Sequence, residues 1–149
     1  MIVPDVNLLV YAYNEAAPLH GPARAWWEGL LSRTQPIGMP WAVAMGFIRL
    51  VTHPRVLDEP LSPGAALDRV EAWLARPEVQ IVEPGPRHLS ILRVLFEATG
   101  VAASLTTDTH IAALAIEHQC EVHWNDSDFG RYPGLRWRNP LPGAAPLSP

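Results

Sequence analysis

Four aspartates stand where apolar runs of this chain end: Asp5 after Met1-Ile2-Val3-Pro4, Asp108 after Leu105-Thr106-Thr107, and Asp126 and Asp128 after Val122-His123-Trp124-Asn125. Only 17% of residues are charged, so acids placed at strand ends are conspicuous. In open α/β sheets the ligand crevice lies beyond the carboxyl ends of the strands, and residues far apart in sequence converge there. Two carboxylates about 4 Å apart repel by roughly 4 kcal/mol at an effective dielectric of 20, a cost that a hard divalent cation removes. Oxygen-only ligands select Mg²⁺, with Mn²⁺ as a substitute, over Zn²⁺. Each acid alone has a plainer reading. Asp5 is then a turn residue, Asp108 a charge favoured by about 0.3–1 kcal/mol at a helix N-terminus, and Asp126 and Asp128 Asx-turn residues. The set is what indicates metal-assisted chemistry.

The pattern around these acids predicts strands alternating with helices. Residues 1 to 5 form a short buried parallel strand with Pro4 at its end, since proline cannot donate to a ladder. A short helix, Leu8 to Tyr13, follows, and a second with Pro22 in its first turn faces inward with Ala25, Trp26, Gly29 and Leu30. Pro36 to Pro40 reads as a strand that feeds a helix from Trp41 to Val51. Ser62-Pro63 is an N-cap with proline at the first position of a helix through Ala75, burying Leu67, Val70, Trp73 and Leu74. Val79 to Val82 is a strand, Arg87 to Ala98 a helix closed by Gly100, and Asp108 to His118 a helix capped by Thr107. Glu121 to Trp124 is a fourth strand and Leu135 to Arg138 a fifth. The result is an α/β fold with a mostly parallel sheet covered on both faces.

At 149 residues and 48% apolar content the chain suits one domain, taken as residues 1–141, followed by a flexible tail over 142–149. The stretch Leu141 to Pro149, rich in proline, is expected to contribute little to a core. No apolar stretch approaches the roughly 20 residues needed to span a bilayer, and Met1 leads straight into a strand, so a cytoplasmic protein without membrane contact is expected. Lysine is absent, which excludes a Walker-A loop, a Schiff-base enzyme and a catalytic lysine. The single cysteine, Cys120, forbids an intrachain disulfide and reads as a buried structural thiol. A net charge of −4 argues against nonspecific coating of nucleic acid but leaves room for a nuclease, because a bound metal inverts the field around its acids.

Arg49 and Arg55, with His53, are the candidates for holding phosphate, since guanidinium meets phosphate in a two-pronged fork; an ordinary solvated loop is the alternative. His118, Cys120 and His123 straddle a change from helix to strand without a fourth partner and make a poor zinc site. Trp26, Trp41 and Trp73 sit in helical apolar patterns and are expected in the core, with Trp27 and Trp137 left for an interface.

Three segments, Pro4-Asp5-Val6-Asn7-Leu8-Leu9-Val10-Tyr11-Ala12, Leu105 to Ala115, and Trp124-Asn125-Asp126-Ser127-Asp128-Phe129, resemble the metal-binding segments of PIN domains in order and spacing. Arg49 to Val56 and the tail Leu135 to Leu141 resemble the VapC toxins of bacterial toxin–antitoxin pairs. The resemblance implies a three-layer α/β/α sandwich and a Mg²⁺-dependent endoribonuclease. In it Asp5, Asp108 and Asp126 match the metal-binding acids, Asp128 is a further ligand or outer partner, Asn7 supports the first aspartate, and Thr107 places a hydroxyl near metal or phosphate. It further implies a metal-oriented water attacking phosphorus in line, a small VapB-like antitoxin and a homodimer. One departure matters: PIN domains commonly carry another acid on the helix after the second strand, whereas Trp41 to Val51 has no carboxylate and Gly46 stands near the expected place. A degenerate PIN domain that binds RNA or a protein without cleavage is therefore the alternative. Phosphoryl-accepting aspartate proteins fit less well, because those families need a lysine.

Overall fold

The structure is a computed structural model describing residues 1–125 and 130–141. Asp126 and Asp128 and the tail over 142–149 lie outside the described residues. The chain runs β1 (Ile2–Pro4), α1 (Val6–Tyr13), α2 (His20–Leu31), β2 (Ile37–Pro40), α3 (Trp41–Val51), α4 (Pro63–Leu74), β3 (Val79–Val82), α5 (His88–Thr99), a 3₁₀ turn at Ala103–Leu105, α6 (Thr106–Glu117), β4 (Glu121–His123) and β5 (Arg136–Arg138).

All strand pairs are parallel, in the order β3-β2-β1-β4-β5. The chain winds from β1 outward to β3, then crosses back to lay β4 on the other side of β1. Right-handed crossovers therefore put α1 to α4 on one face and α5 and α6 on the other, giving the expected three-layer α/β/α sandwich. The order reverses between β1 and β4, so the crevice of this sheet opens there. Among the described residues no helix is long and apolar enough to cross a membrane.

The strands are short and enclosed: Ile2, Val3, Ile37, Met39 and Val122 are all buried, as a sheet covered on both faces requires. Gly38 sits in the middle of this packing, where a Cβ would stand 2.7 Å from Val82 Cγ2 and 2.9 Å from Met1 Sδ. Over α1 to α4 the core is aromatic, with Trp73 against Phe47 (ring centroids 4.6 Å) and Trp27 (5.4 Å), and Tyr13 edge-on to Phe47. On the other face Glu117 ties the start of α5 to α6. Its carboxylate accepts the Gly85 and Arg87 backbone N–H groups, both at 2.9 Å, and it lies 3.5 Å from His88 Nδ1.

Several local expectations hold. Ser62 caps α4 with Pro63 at its first position, accepting from the Ala65 N–H at 3.2 Å, and Gly100 closes α5 in the left-handed region at φ 68°. Others need correction. In α2 the buried stripe is Ala23, Trp27 and Leu30, about a quarter of a turn from the predicted face, with which it shares Leu30; Ala25 is exposed and Trp26 only half-buried. Trp27, expected at an interface, is a core residue, while Trp41, expected in the core, is 47% exposed. Leu67 is likewise exposed on α4, and Leu89 and Val94 are exposed on α5. Thr107 does not cap α6, which begins one residue earlier at Thr106. Leu141, assigned to a poorly packing end, is buried against Leu8 and Ala23.

These environments predict opposite outcomes for two tryptophans. Trp73→Ala empties an enclosed site and should cost about 3–5 kcal/mol of unfolding free energy. Trp41→Ala removes a half-exposed ring and should cost under about 1 kcal/mol. Urea unfolding of both variants measures the difference.

Candidate active site at the carboxyl edge of the sheet

β1 ends at Pro4, and the next residue, Asp5, has an extended backbone (φ −75°, ψ 149°) and N-caps α1. Its Oδ2 accepts the Asn7 backbone N–H at 3.0 Å, and its own N–H donates to His123 O of β4 at 2.9 Å. The carboxylate is therefore buried, 1% exposed, at the point where the strand order reverses. The N-terminus of α1 favours negative charge there by about 0.3–1 kcal/mol, and more where water is excluded. The contact of Asn7 with Asp5 is through its main chain; Asn7 itself is exposed.

α6 leads into β4 through a connection of a few residues, so it runs antiparallel to the strands and its N-terminal turn lies on the same carboxyl side as Asp5. Asp108 sits in that first turn, half-buried. Thr107, next to it, is exposed. The first residues after β4 complete this edge: Trp124 N–H donates to Arg138 O at 2.9 Å, and Asn125 receives the Asn139 side-chain amide. Asp126 follows directly in sequence. Among the described residues no three His, Cys, Asp or Glu side chains are grouped to hold an ion, and Asp126 and Asp128 lie outside them. The donor set offered here, carboxylate oxygen without thiolate or imidazole, is chemically suited to Mg²⁺ or Mn²⁺.

The missing acid of α3 has a packing explanation. Gly46 faces α1, and a Cβ there would lie 3.1 Å from Val6 Cγ2, one residue beyond Asp5. The close approach of α3 to α1 means that a side chain at this position would need Val6 to give by a few tenths of an ångström.

Arg49, His53 and Arg55 are exposed in the last turn of α3 and the loop after it. α3 starts directly at the end of β2, so Arg49 stands about 12 Å along the helix axis from the strand ends. His53 is occupied locally, its Nδ1 accepting the Arg55 N–H at 3.0 Å, which shapes the loop carrying Arg55.

The remaining histidines have structural roles. His123, fully buried, accepts the Trp26 indole N–H on Nδ1 at 2.9 Å, which leaves the proton on Nε2 to meet Glu121 Oε1 at 2.9 Å. Burial pushes its pKa below the ordinary histidine value, with Glu121 opposing and Arg138 reinforcing. His110, bonded to His88 at 2.9 Å, is lowered by burial and by His88. His118 bonds Glu83 O, and Cys120 is buried with its pKa raised by desolvation, so neither is arranged for zinc.

Comparison with known proteins now bears on this geometry. Residues 2–135 match the model of the PIN domain. Ribonuclease VapC33 of Mycobacterium tuberculosis is 42% identical over 141 residues, covering 95% of this chain and 99% of the relative. The chain belongs to the PIN-domain family, among the VapC proteins. Ribonuclease VapC43 of the same organism is 39% identical over 147 residues, 99% of this chain and 100% of the relative. Solved structures share the fold. VapBC2 of Rickettsia felis, bound to a promoter DNA fragment, has a TM-score of 0.66 at 20% identity, covering 93% of this chain and 98% of that one. M. tuberculosis VapC20, a sarcin-ricin-loop-cleaving toxin, has a TM-score of 0.60 at 16% identity, covering 91% of this chain and 99% of that one.

Sequence reasoning assigned no role to Thr109, Tyr132 or Asn139 of this PIN domain, although Thr109 and Tyr132 bond each other next to Asp108 and Asn139 bonds Asn125 just past β4. The signal was faint: threonine on a helix and asparagine after a strand are common surface choices.

Two stability predictions follow from the buried groups. Asp5→Ala loses the cap of α1 and should be about 1 kcal/mol less stable than Asp5→Asn, which keeps an acceptor, measured without divalent ions. His123 is neutral when folded, so the unfolded chain binds more protons below the ordinary histidine pKa of 6.5. Stability should accordingly fall as pH drops from 7.5 to 5.5, and His123→Gln should flatten part of that slope in urea midpoints.

Proposed function

We propose that this protein is the endoribonuclease toxin of a toxin–antitoxin pair, cleaving RNA phosphodiesters with Mg²⁺, or Mn²⁺ in its place. The observation that carries the reading is Asp5, a carboxylate buried where the sheet order reverses, in a chain that is 42% identical along nearly its whole length to a relative named Ribonuclease VapC33. Asp5, Asp108 and Asp126 would hold the ion, with Asp128 as a further ligand or outer partner. The bound ion would orient and acidify a water for in-line attack on phosphorus and offset the charge that develops.

The side chains of this protein then divide the remaining work. Asp5 offers a carboxylate whose orientation is set by the Asn7 N–H. Asp108, in the first turn of α6, approaches from the other layer. Exposed Arg49 and Arg55 meet RNA phosphates beyond the scissile bond, with His53 shaping their loop, and Thr107 donates its hydroxyl to a phosphate oxygen. A nuclease toxin harms the cell that makes it, so a VapB-like antitoxin is its partner, supported by the fold shared with the VapBC2 pair. Apolar side chains left exposed on α3 and α5, Trp41, Met45, Leu89 and Val94, support a homodimer, and the site of action is the cytoplasm.

A second reading has its own observation. α3 carries no carboxylate and Gly46 is closed against Val6, so a PIN domain that binds RNA or a protein without cutting is the competing function.

Incubation of purified protein with total cellular RNA separates the two. Cleavage that requires Mg²⁺ or Mn²⁺, reduced by about 100-fold or more in Asp108→Asn and in Asp126→Asn, is the expected result. RNA binding without cleavage in either ion would favour the second reading. Arg49→Ala and Arg55→Ala should raise KM severalfold and leave kcat nearly unchanged, as loss of uniform phosphate binding does.

A further inference from the structure

The metal-site reading requires several carboxylates to be held close together despite their repulsion, which calls for restraint by neighbouring groups. Two such restraints stand outside the acids themselves. Thr109, adjacent to Asp108, is fully buried, and its hydroxyl donates to Leu105 O at 2.8 Å. That uses its one proton, so the Tyr132 hydroxyl, 3.1 Å away and also buried, must be the donor to Thr109 Oγ1. Tyr132 thereby pins the first turn of α6 against rotation about the helix axis.

The second restraint is Asn139, just past β5. Its amide donates to both Asn125 O (3.4 Å) and Asn125 Oδ1 (3.3 Å), while its own Oδ1 accepts the Leu141 N–H at 3.0 Å. Leu141 is buried against Leu8 of α1, the helix that Asp5 caps. A continuous set of contacts thus runs from the helix of Asp5 through Leu141 and Asn139 to the residue preceding Asp126.

We propose that Tyr132, acting through Thr109, and Asn139, acting through Asn125, are positioning residues of the acid site: the first sets the turn that carries Asp108, the second the backbone just past β4. This rests on the metal-site reading, and its test is metal binding itself. Titration calorimetry with Mn²⁺ alone, in the full-length protein without RNA, should give affinities about 10- to 100-fold weaker in Tyr132→Phe and in Asn139→Ala than in wild type. Thr109→Ser keeps the hydroxyl and should bind Mn²⁺ as wild type does, whereas Thr109→Val should weaken binding like Tyr132→Phe; this pair decides the matter if Tyr132→Phe fails to fold. In RNA cleavage the weakened variants should regain kcat at higher Mn²⁺ with KM for RNA unchanged. Wild-type Mn²⁺ affinity in folded Tyr132→Phe and Asn139→Ala, or in Thr109→Val, would overturn the positioning roles and leave the metal site standing. No Mn²⁺ binding by the wild type would overturn both.

Discussion

A carboxylate enclosed at the end of a buried strand is the constraint on which the rest of this molecule depends. Ionised and removed from water, Asp5 would be strongly destabilising without compensation. Part of that compensation is local: the first turn of α1 supplies an N–H and the favourable end of its dipole. That arrangement requires α1 to start the moment β1 stops, which is why no loop separates them. The same bond holds the carboxylate in a fixed direction.

The winding of the sheet gives this constraint its use. Because β4 is laid beside β1 only after the chain has passed through β2 and β3, the two strands end side by side, with α1 leaving the end of β1 on one face and α6 leading into β4 from the other. The edge left open is lined by Asp5 from one layer and by the first turn of α6 from the other. β5 extends the edge, and its end ties back to Asn125. In a PIN domain of the VapC group this open edge is where RNA cleavage is proposed, and α3, which has no carboxylate, packs closely there through Gly46 against Val6.

Much of this was legible along the chain, though unevenly. Asp5 and its place after a short apolar run were legible because a strand ending in proline is a local feature; that Asp5 caps a helix starting at Val6 rather than Leu8 was not. So were α4 with its Ser62-Pro63 start and the end of α5 at Gly100, where one residue's backbone preference settles the matter. The tryptophans were not. Trp26 and Trp27 are neighbours on one helix, and which of them is buried depends on how α2 is rotated against α4, a choice made by the Trp27–Trp73 contact. Trp41 looked like core because apolar residues surround it in sequence, yet it faces outward at the start of α3. Leu141, written off with a proline-rich end, found its place beside Leu8 through a bond to Asn139.

The amino-acid sequence by itself therefore determined the alternation of strand and helix, the place of Asp5 after the first strand, the exclusion of lysine chemistry and the membership of a fold class. Each of these follows from short-range preference or composition. Only the tertiary structure decided which faces are buried, that the strand order reverses beside Asp5, that Tyr132 bonds Thr109 next to Asp108, and that Asn139 bonds Asn125. These depend on contacts between segments distant in sequence, such as Trp26 with His123 and Leu8 with Leu141. Side-chain volume and hydrogen-bond direction select among such contacts only once the chain has closed on itself.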